Sequence, residues 1–197
     1  MQQTIAFFDF DGTITTKDTL LEFIKFSKGK FRFYLGFFLT SPWLVALKLK
    51  LVPNQLAKEK VLTFFYRNCP EEQFQQYCSS FNAEALPALI RPKAVQEIAR
   101  LKEIGASIVI VSASPENWIR AFALSQGAEL LATRLAISNH RLTGKIDGRN
   151  CHGTEKEARI RQAYTLSEFT AIYAYGDSSG DKDLLALAHF PFYKPFR

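Results

Sequence analysis

Residues Thr4 to Phe8 form an unbroken apolar, β-branched and aromatic run that leads directly into Asp9-Phe10-Asp11-Gly12-Thr13. Such a run reads as a buried strand with a charged C-terminal tip. Core packing gives no reason for that tip. Two carboxylates two residues apart repel each other, so a positive partner is expected between them, most economically a divalent cation. Ligands of open α/β sheets bind beyond the carboxyl ends of the strands. This stretch therefore predicts a parallel sheet with a site at its edge, centred on Asp9 and Asp11.

The remaining chain supplies the other elements. Thr16 or Asp18 can cap a helix over Thr19 to Phe26, and Gly29 ends it. Pro53 opens a helix through Phe65 and Pro70 another through Phe81 or Leu86, so residues 16 to about 90 read as all-helical. From Pro92 the texture changes to helix, strand and helix in alternation. The strands are Ser107 to Val111 ending at Ser112, Ala128 to Ala132, and Ala171 to Tyr175, with helices from Pro92, Pro115 and Thr154 between them. That alternation implies crossovers and a parallel sheet. Arg134 to Asp147 reads as an antiparallel excursion, and Phe190 to Tyr193 as a short last strand.

Composition matters chiefly between Phe31 and Val52. Phe33 to Leu47 is an apolar run of about 15 residues interrupted by Pro42, too short to span a bilayer, which takes about 20. Lys28, Lys30 and Arg32 precede it, and Lys48 and Lys50 follow. A helical pair at an anionic membrane surface fits this pattern. The core of a helical subdomain with a lysine rim also fits it, and composition alone favours that reading. The net charge of +6 is local, because eight of the 25 basic residues and two of the 19 acidic ones lie between Glu22 and Lys60. The rest of the chain is balanced, which argues against nucleic acid as a partner.

Cys69, Cys78 and Cys151 show no C-x-x-C spacing, and His140, His152 and His189 share no ligand spacing, so neither set predicts a metal centre or a disulfide framework. Met1-Gln2-Gln3 passes straight into the first strand without a basic region or cleavage site. The expected location is cytoplasmic, with peripheral contact at the inner face of the membrane through the basic aromatic helices. Nothing in the sequence predicts the oligomeric state.

Four ordered motifs follow the strand ends: Asp9-Phe10-Asp11-Gly12-Thr13, Ser112, Lys156 in a Gly-x-x-Lys setting, and Gly176-Asp177-Ser178-Ser179-Gly180-Asp181. In that order they resemble the motifs of haloacid dehalogenase superfamily phosphatases, and the helical insert is similar to the cap of subfamily IB. The resemblance implies a Rossmann-like three-layer α/β/α core of residues 1–15 and 91–197 with a parallel sheet, and an all-helical cap of residues 16–90. It implies a phosphate monoester substrate and a Mg2+ cofactor. Asp9 would attack phosphorus and form an aspartyl-phosphate, and Asp11 would act as general acid and then base. Ser112, Lys156, Gly12 and Ala113 would bind the phosphoryl group. Asp9, the main-chain carbonyl of Asp11, Asp177 and Asp181 would hold the metal, directly or through water.

Substrate choice would fall to the cap, where Asp18 and Glu22 are candidates. Phosphoserine phosphatases resemble the chain in topology but carry Asp-x-Asp-Ser-Thr where Gly12 stands here. The basic aromatic cap and the closing His189-Phe190-Pro191-Phe192-Tyr193-Lys194-Pro195 are more similar to bacterial phosphatidylglycerophosphate phosphatases of subfamily IB. The expected substrate is thus a lipid phosphate such as phosphatidylglycerophosphate. The alternatives are phosphoserine or another small metabolite, transfer to an alcohol rather than water, and a membrane-associated interaction module without activity.

Overall fold

In the computed structural model, which describes residues 3–197, the first strand lies inside a six-stranded sheet. In chain order the strands are β1 (Thr4–Phe8), β2 (Ser107–Pro115), β3 (Glu129–Ser138), β4 (Arg141–Asp147), β5 (Ala171–Gly176) and β6 (Phe190–Tyr193), arranged β4-β3-β2-β1-β5-β6. All neighbours are parallel except the β3–β4 hairpin. The predicted α/β fold with a parallel sheet is what the chain adopts. From β1 the chain goes first to β2 on one side and later to β5 on the other, which opens a crevice at the carboxyl edge between them.

Alternate side chains of the central strands enter two cores, as a two-residue period requires. Ala6, Phe8, Ile108, Ile110 and Tyr175 face one side; Ile5, Phe7, Val109, Val111 and Ala174 face the other. Helices α4 (Pro92–Glu103) and α5 (Glu116–Ser125) cover the first side through Ile98, Leu101 and Trp118. Helices α6 (Thr154–Ala163) and α7 (Lys182–Ala186) cover the second through Ile160 and Leu184.

Between β1 and α4 stand α1 (Thr19–Lys48), α2 (Asn54–Tyr66) and α3 (Glu71–Glu84), the helices foreseen after the first strand. The linkers into and out of this insert are paired: Thr16 N–H donates to the Leu89 carbonyl at 2.8 Å and Arg91 N–H to that of Ile14 at 2.8 Å. The insert shares the first core, where Phe23 of α1 stacks on Trp118 at 4.5 Å between ring centroids. Truncating a buried aromatic of this kind to Ala costs about 3–5 kcal/mol, so the contact ties insert to sheet. Asn68 N–H and Leu142 N–H, each bonded to a carbonyl across the gap, join the insert to β4 as well.

Asp18, one of the two candidate caps, caps α1, accepting from Leu21 N–H at 3.2 Å, and Gly29 (φ 79°, ψ 159°) ends its first helical run as expected, a second run following directly. Two points differ from the sequence reading. Pro42 does not interrupt the helix, which continues to Lys48. The Phe38 carbonyl that Pro42 cannot serve accepts the Ser41 hydroxyl at 2.7 Å instead, which offsets the lost bond. Finally, β2 continues past Ser112 to Pro115 with a register shift between them, so Ser112 sits inside the strand. Gly36 allows α1 to approach α2, since a Cβ there would collide with Phe64 and Phe65. Among the described residues no helix is long and apolar enough to cross a membrane.

Candidate active site

Beyond Phe8 the chain turns through a tight loop over Phe10–Ile14, closed by Thr15 N–H on the Phe10 carbonyl at 2.9 Å. Gly12 has φ +82°, and a Cβ on it would lie 2.5 Å from Oδ2 of Asp177. Glycine is thus required there both for the left-handed backbone and for the close approach of the carboxylate. The loop holds Asp9 and Asp11 against residues from β2, α6 and the end of β5.

Asp9 is buried. Its Oδ2 accepts the Thr13 hydroxyl at 2.9 Å, and its Oδ1 accepts from Lys156 Nζ at 2.5 Å. Lys156, in the first turn of α6, is also buried and donates to Oδ1 of Asp181 at 2.7 Å. Asp181 in turn accepts the Ser178 hydroxyl and the amides of Asp177 and Ser178 on its Oδ2. The two carboxylates and one ammonium therefore form a buried triad. Burial pushes Asp9 up to about 7; Lys156 opposes the rise, and the charges of Asp181 and Asp11 add to it. Burial alone would lower Lys156, but Asp9 and Asp181 hold its ammonium above the usual value. Asp181 ends below its usual range because Lys156 and the Ser178 donors outweigh its burial.

Asp11 faces the other way. Its Oδ1 accepts both the N–H of Thr19 at 2.7 Å and the Thr19 hydroxyl at 2.6 Å, and its Oδ2 accepts from Ser112 Oγ at 3.2 Å. Thr19 Oγ1 accepts from the buried Trp118 Nε1 at 3.0 Å. Asp177, half-buried, pairs with the guanidinium of Arg197 at 2.5 Å, and its carboxyl is raised by burial and by Asp181.

A cleft of about 540 Å³ opens over these groups. One part is polar, with Asp9, Asp11, Lys156, Asp177, Lys58 and Arg197; the other is walled by Leu20, Leu21, Phe37, Leu44, Leu47 and Val61 from the insert. Gly12, Ala113, Asp18 and Asp181 also line it. Ser112 is buried beneath, reaching the site through Asp11. Glu22 does not line the cleft; its carboxylate pairs with Lys25 at 2.8 Å and Lys17 at 3.8 Å.

Sequence reasoning missed four residues that the fold brings here. Lys58, on α2, donates to the Ala113 carbonyl at 2.6 Å, and burial lowers its pKa. Thr19 clamps Asp11, Thr13 holds Asp9, and Arg197 reaches Asp177. Thr13 was within the first motif and could have been singled out. Lys58 and Arg197 carry no local signal.

The donor set suits a hard divalent cation. Asp9, Asp177 and Asp181 each offer a carboxylate oxygen, all within 4.8 Å of one another. Oxygen donors in that grouping match Mg2+ rather than a softer metal. Burial raises the Asp9 and Asp177 carboxyls, and a cation bound among them would favour their charged forms.

An acidic crevice at the carboxyl edge of a parallel sheet, closed by a buried lysine and roofed by an insert after the first strand, defines a class of hydrolase. The chain belongs to the haloacid dehalogenase-like hydrolase family, whose pattern it matches over residues 6–186. It is 36% identical to Protein CicA of Caulobacter vibrioides over 192 residues, 96% of this chain and 85% of that protein. It is 29% identical to the probable phosphatase Rv3661 of Mycobacterium tuberculosis over 205 residues, 99% of this chain and 70% of the relative. Among solved structures, a phospho-aspartyl intermediate analogue of phosphoserine phosphatase superposes with a TM-score of 0.69 at 16% identity, covering 95% of this chain and 84% of that one.

Proposed function

We propose that this hydrolase is a Mg2+-dependent phosphomonoesterase that works through an aspartyl-phosphate on Asp9, with an amphiphilic lipid phosphate such as phosphatidylglycerophosphate as substrate. The observation that carries the reading is the joining of Asp9 and Asp181 by Lys156 Nζ, at 2.5 and 2.7 Å, beside Asp11. The probable-phosphatase designation of the relative Rv3661 supports the same reaction class.

In this reading a carboxylate oxygen of Asp9 attacks phosphorus, the ester P–O bond breaks, and the departing alkoxide takes the proton carried by Asp11. Asp11 then takes a proton from water as that water attacks phosphorus, releasing phosphate and restoring Asp9. Lys156 has three N–H donors, of which two hold carboxylates, and the third remains for a phosphoryl oxygen. The main-chain groups of Gly12 and Ala113 border the same space, and Ser112 keeps Asp11 oriented. Asp9, the Asp11 carbonyl, Asp177 and Asp181 would hold the Mg2+. A bound Mg2+ would neutralise charge on the transferring group. Residues 16–90 would act as the cap over a core of residues 1–15 and 91–197.

The apolar wall of Leu20, Phe37, Leu44 and Leu47 supports an ester with a hydrocarbon portion. Asp18 and Lys58 on the polar side favour a second reading, a small charged ester such as phosphoserine. Asp9→Asn tests the reaction. Turnover of an aryl phosphate in Mg2+ should fall below detection with an unchanged circular dichroism spectrum, and retained turnover sinks the assignment. Comparing phosphatidylglycerophosphate with phosphoserine on the native enzyme, with and without Mg2+, decides the substrate.

A further inference from the structure

We propose that the distal half of α1, from Lys30 to Lys48, docks on an anionic lipid surface and lies in its plane. Between its basic ends, from Phe33 to Leu47, this part of the helix has apolar side chains on every side, with Thr40 and Ser41 its polar ones. At about 3.6 residues per turn, Phe33, Phe37, Thr40 and Leu44 point towards α2, where Phe37 meets Phe65 at 6.0 Å between centroids. Phe31, Tyr34, Leu35, Phe38 and Val45 occupy the opposite side, with Phe31 80% and Phe38 75% exposed. An ordinary surface helix is polar on that side. A contiguous aromatic patch open to water marks a surface that meets an apolar phase.

The geometry excludes crossing. The 15 residues from Phe33 to Leu47 carry no charge, and as helix they extend about 22 Å against about 30 Å of bilayer hydrocarbon. Half of the circumference is already packed on α2. What remains is one face, suited to lying at an interface.

Charge selects the partner. No acidic residue occurs between Glu22 and Glu59, whereas exposed Lys30 and Arg32 flank one end of the patch and Lys48 and Lys50 the other. Trp43 sits at the edge of the patch with Lys60 Nζ 4.3 Å from its ring centroid, an aromatic and basic pair of the kind found at headgroup level. A second copy of this chain would set positive ends against positive ends in either orientation. An anionic leaflet neutralises both ends, and each Lys or Arg there strengthens binding about fivefold.

The inner face of the same segment lines the cleft with Phe37, Leu44 and Leu47. Docking therefore brings the cleft within about one helix diameter, about 10 Å, of the lipid. Docking itself is independent of the chemistry; its use in delivering an amphiphilic ester rests on the phosphatase reading.

The test is co-sedimentation of the full chain with phosphatidylcholine vesicles, with and without phosphatidylglycerol, at low and high salt. Binding to the anionic vesicles alone, weakened by salt, is expected. F31Q/F38Q should reduce it at least tenfold and K30Q/R32Q/K48Q by about a hundredfold, with unfolding temperature and aryl phosphate turnover as in the native chain. Failure of the folded native chain to bind anionic vesicles, or binding indifferent to both variants, overturns the proposal. So does a dimer in sedimentation velocity that F31Q/F38Q dissolves while vesicles are ignored. Binding without any phosphatase activity leaves the docking intact and defeats the proposed reaction instead.

Discussion

Thr19 donates both its N–H, at 2.7 Å, and its hydroxyl, at 2.6 Å, to the same oxygen of Asp11. The first turn of the inserted helix is thus fastened to a carboxylate of the sheet edge, while Trp118 donates to Thr19 from the core side.

Thr19→Val should remove the hydroxyl and leave Trp118 Nε1 buried without a partner. A buried unsatisfied donor costs about 1–3 kcal/mol. Urea unfolding should show that loss, and kcat on an aryl phosphate should fall by more than KM changes, since Asp11 loses a fixed orientation. Thr19→Ser should restore most of both. An unchanged kcat in the Val variant would remove the clamp from the account of the site.

Lys156→Met tests the triad. It leaves Asp9 and Asp181 buried side by side with no cation, and removing one member of a buried ionic set costs about 3–5 kcal/mol. Chemical denaturation without metal should report that loss. Mg2+ should recover part of it in the variant, because the three carboxylates of the cluster remain. A variant as stable as the native chain would mean that the ammonium is not what holds the pair together.

Stability should depend on pH and metal together. Burial lifts Asp9 from 3.8 to about 7, so between these values the folded chain binds the proton more tightly than the unfolded one. Its contribution is therefore fully present below the unfolded pKa and lost as pH rises through about 7. Asp181 is depressed and acts oppositely, losing its contribution as pH falls below the usual carboxylate range. Metal-free protein should show a falling Tm from pH 5 to 8 by differential scanning fluorimetry. Added Mg2+ should raise Tm more at pH 8 than at pH 5, since it competes with the proton on Asp9. A metal effect that is equal at both would argue that Asp9 is not a ligand.

The sheet and the reacting edge were legible because their signals are local. Thr4 to Phe8 and Ser107 to Val111 are apolar without interruption, and the polar tips at Asp9 and Asp177 follow directly. The helices of the insert were legible from periodicity and prolines, except at Pro42, where one neighbouring hydroxyl offsets a missing N–H. Lys58 and Arg197 were not legible, because their positions depend on how α2 and the chain beyond β6 fold back over the cleft. Asp18 and Glu22 looked alike in sequence, yet the turn of α1 puts Asp18 at the cleft and turns Glu22 towards Lys25.

The break at Gly29 divides α1 into two unequal contributors to the cleft. Thr19, on one side, clamps Asp11 and has Leu20 and Leu21 of the apolar wall beside it; Phe37, Leu44 and Leu47, on the other, supply the rest of what α1 gives to that wall. Selection can therefore remodel the distal part of the wall one residue at a time without touching the clamp on Asp11. Under the proposed reading, a lineage that keeps the first ten residues of this helix and varies the next twenty would change what the cleft admits while keeping the carboxylate assigned to proton transfer.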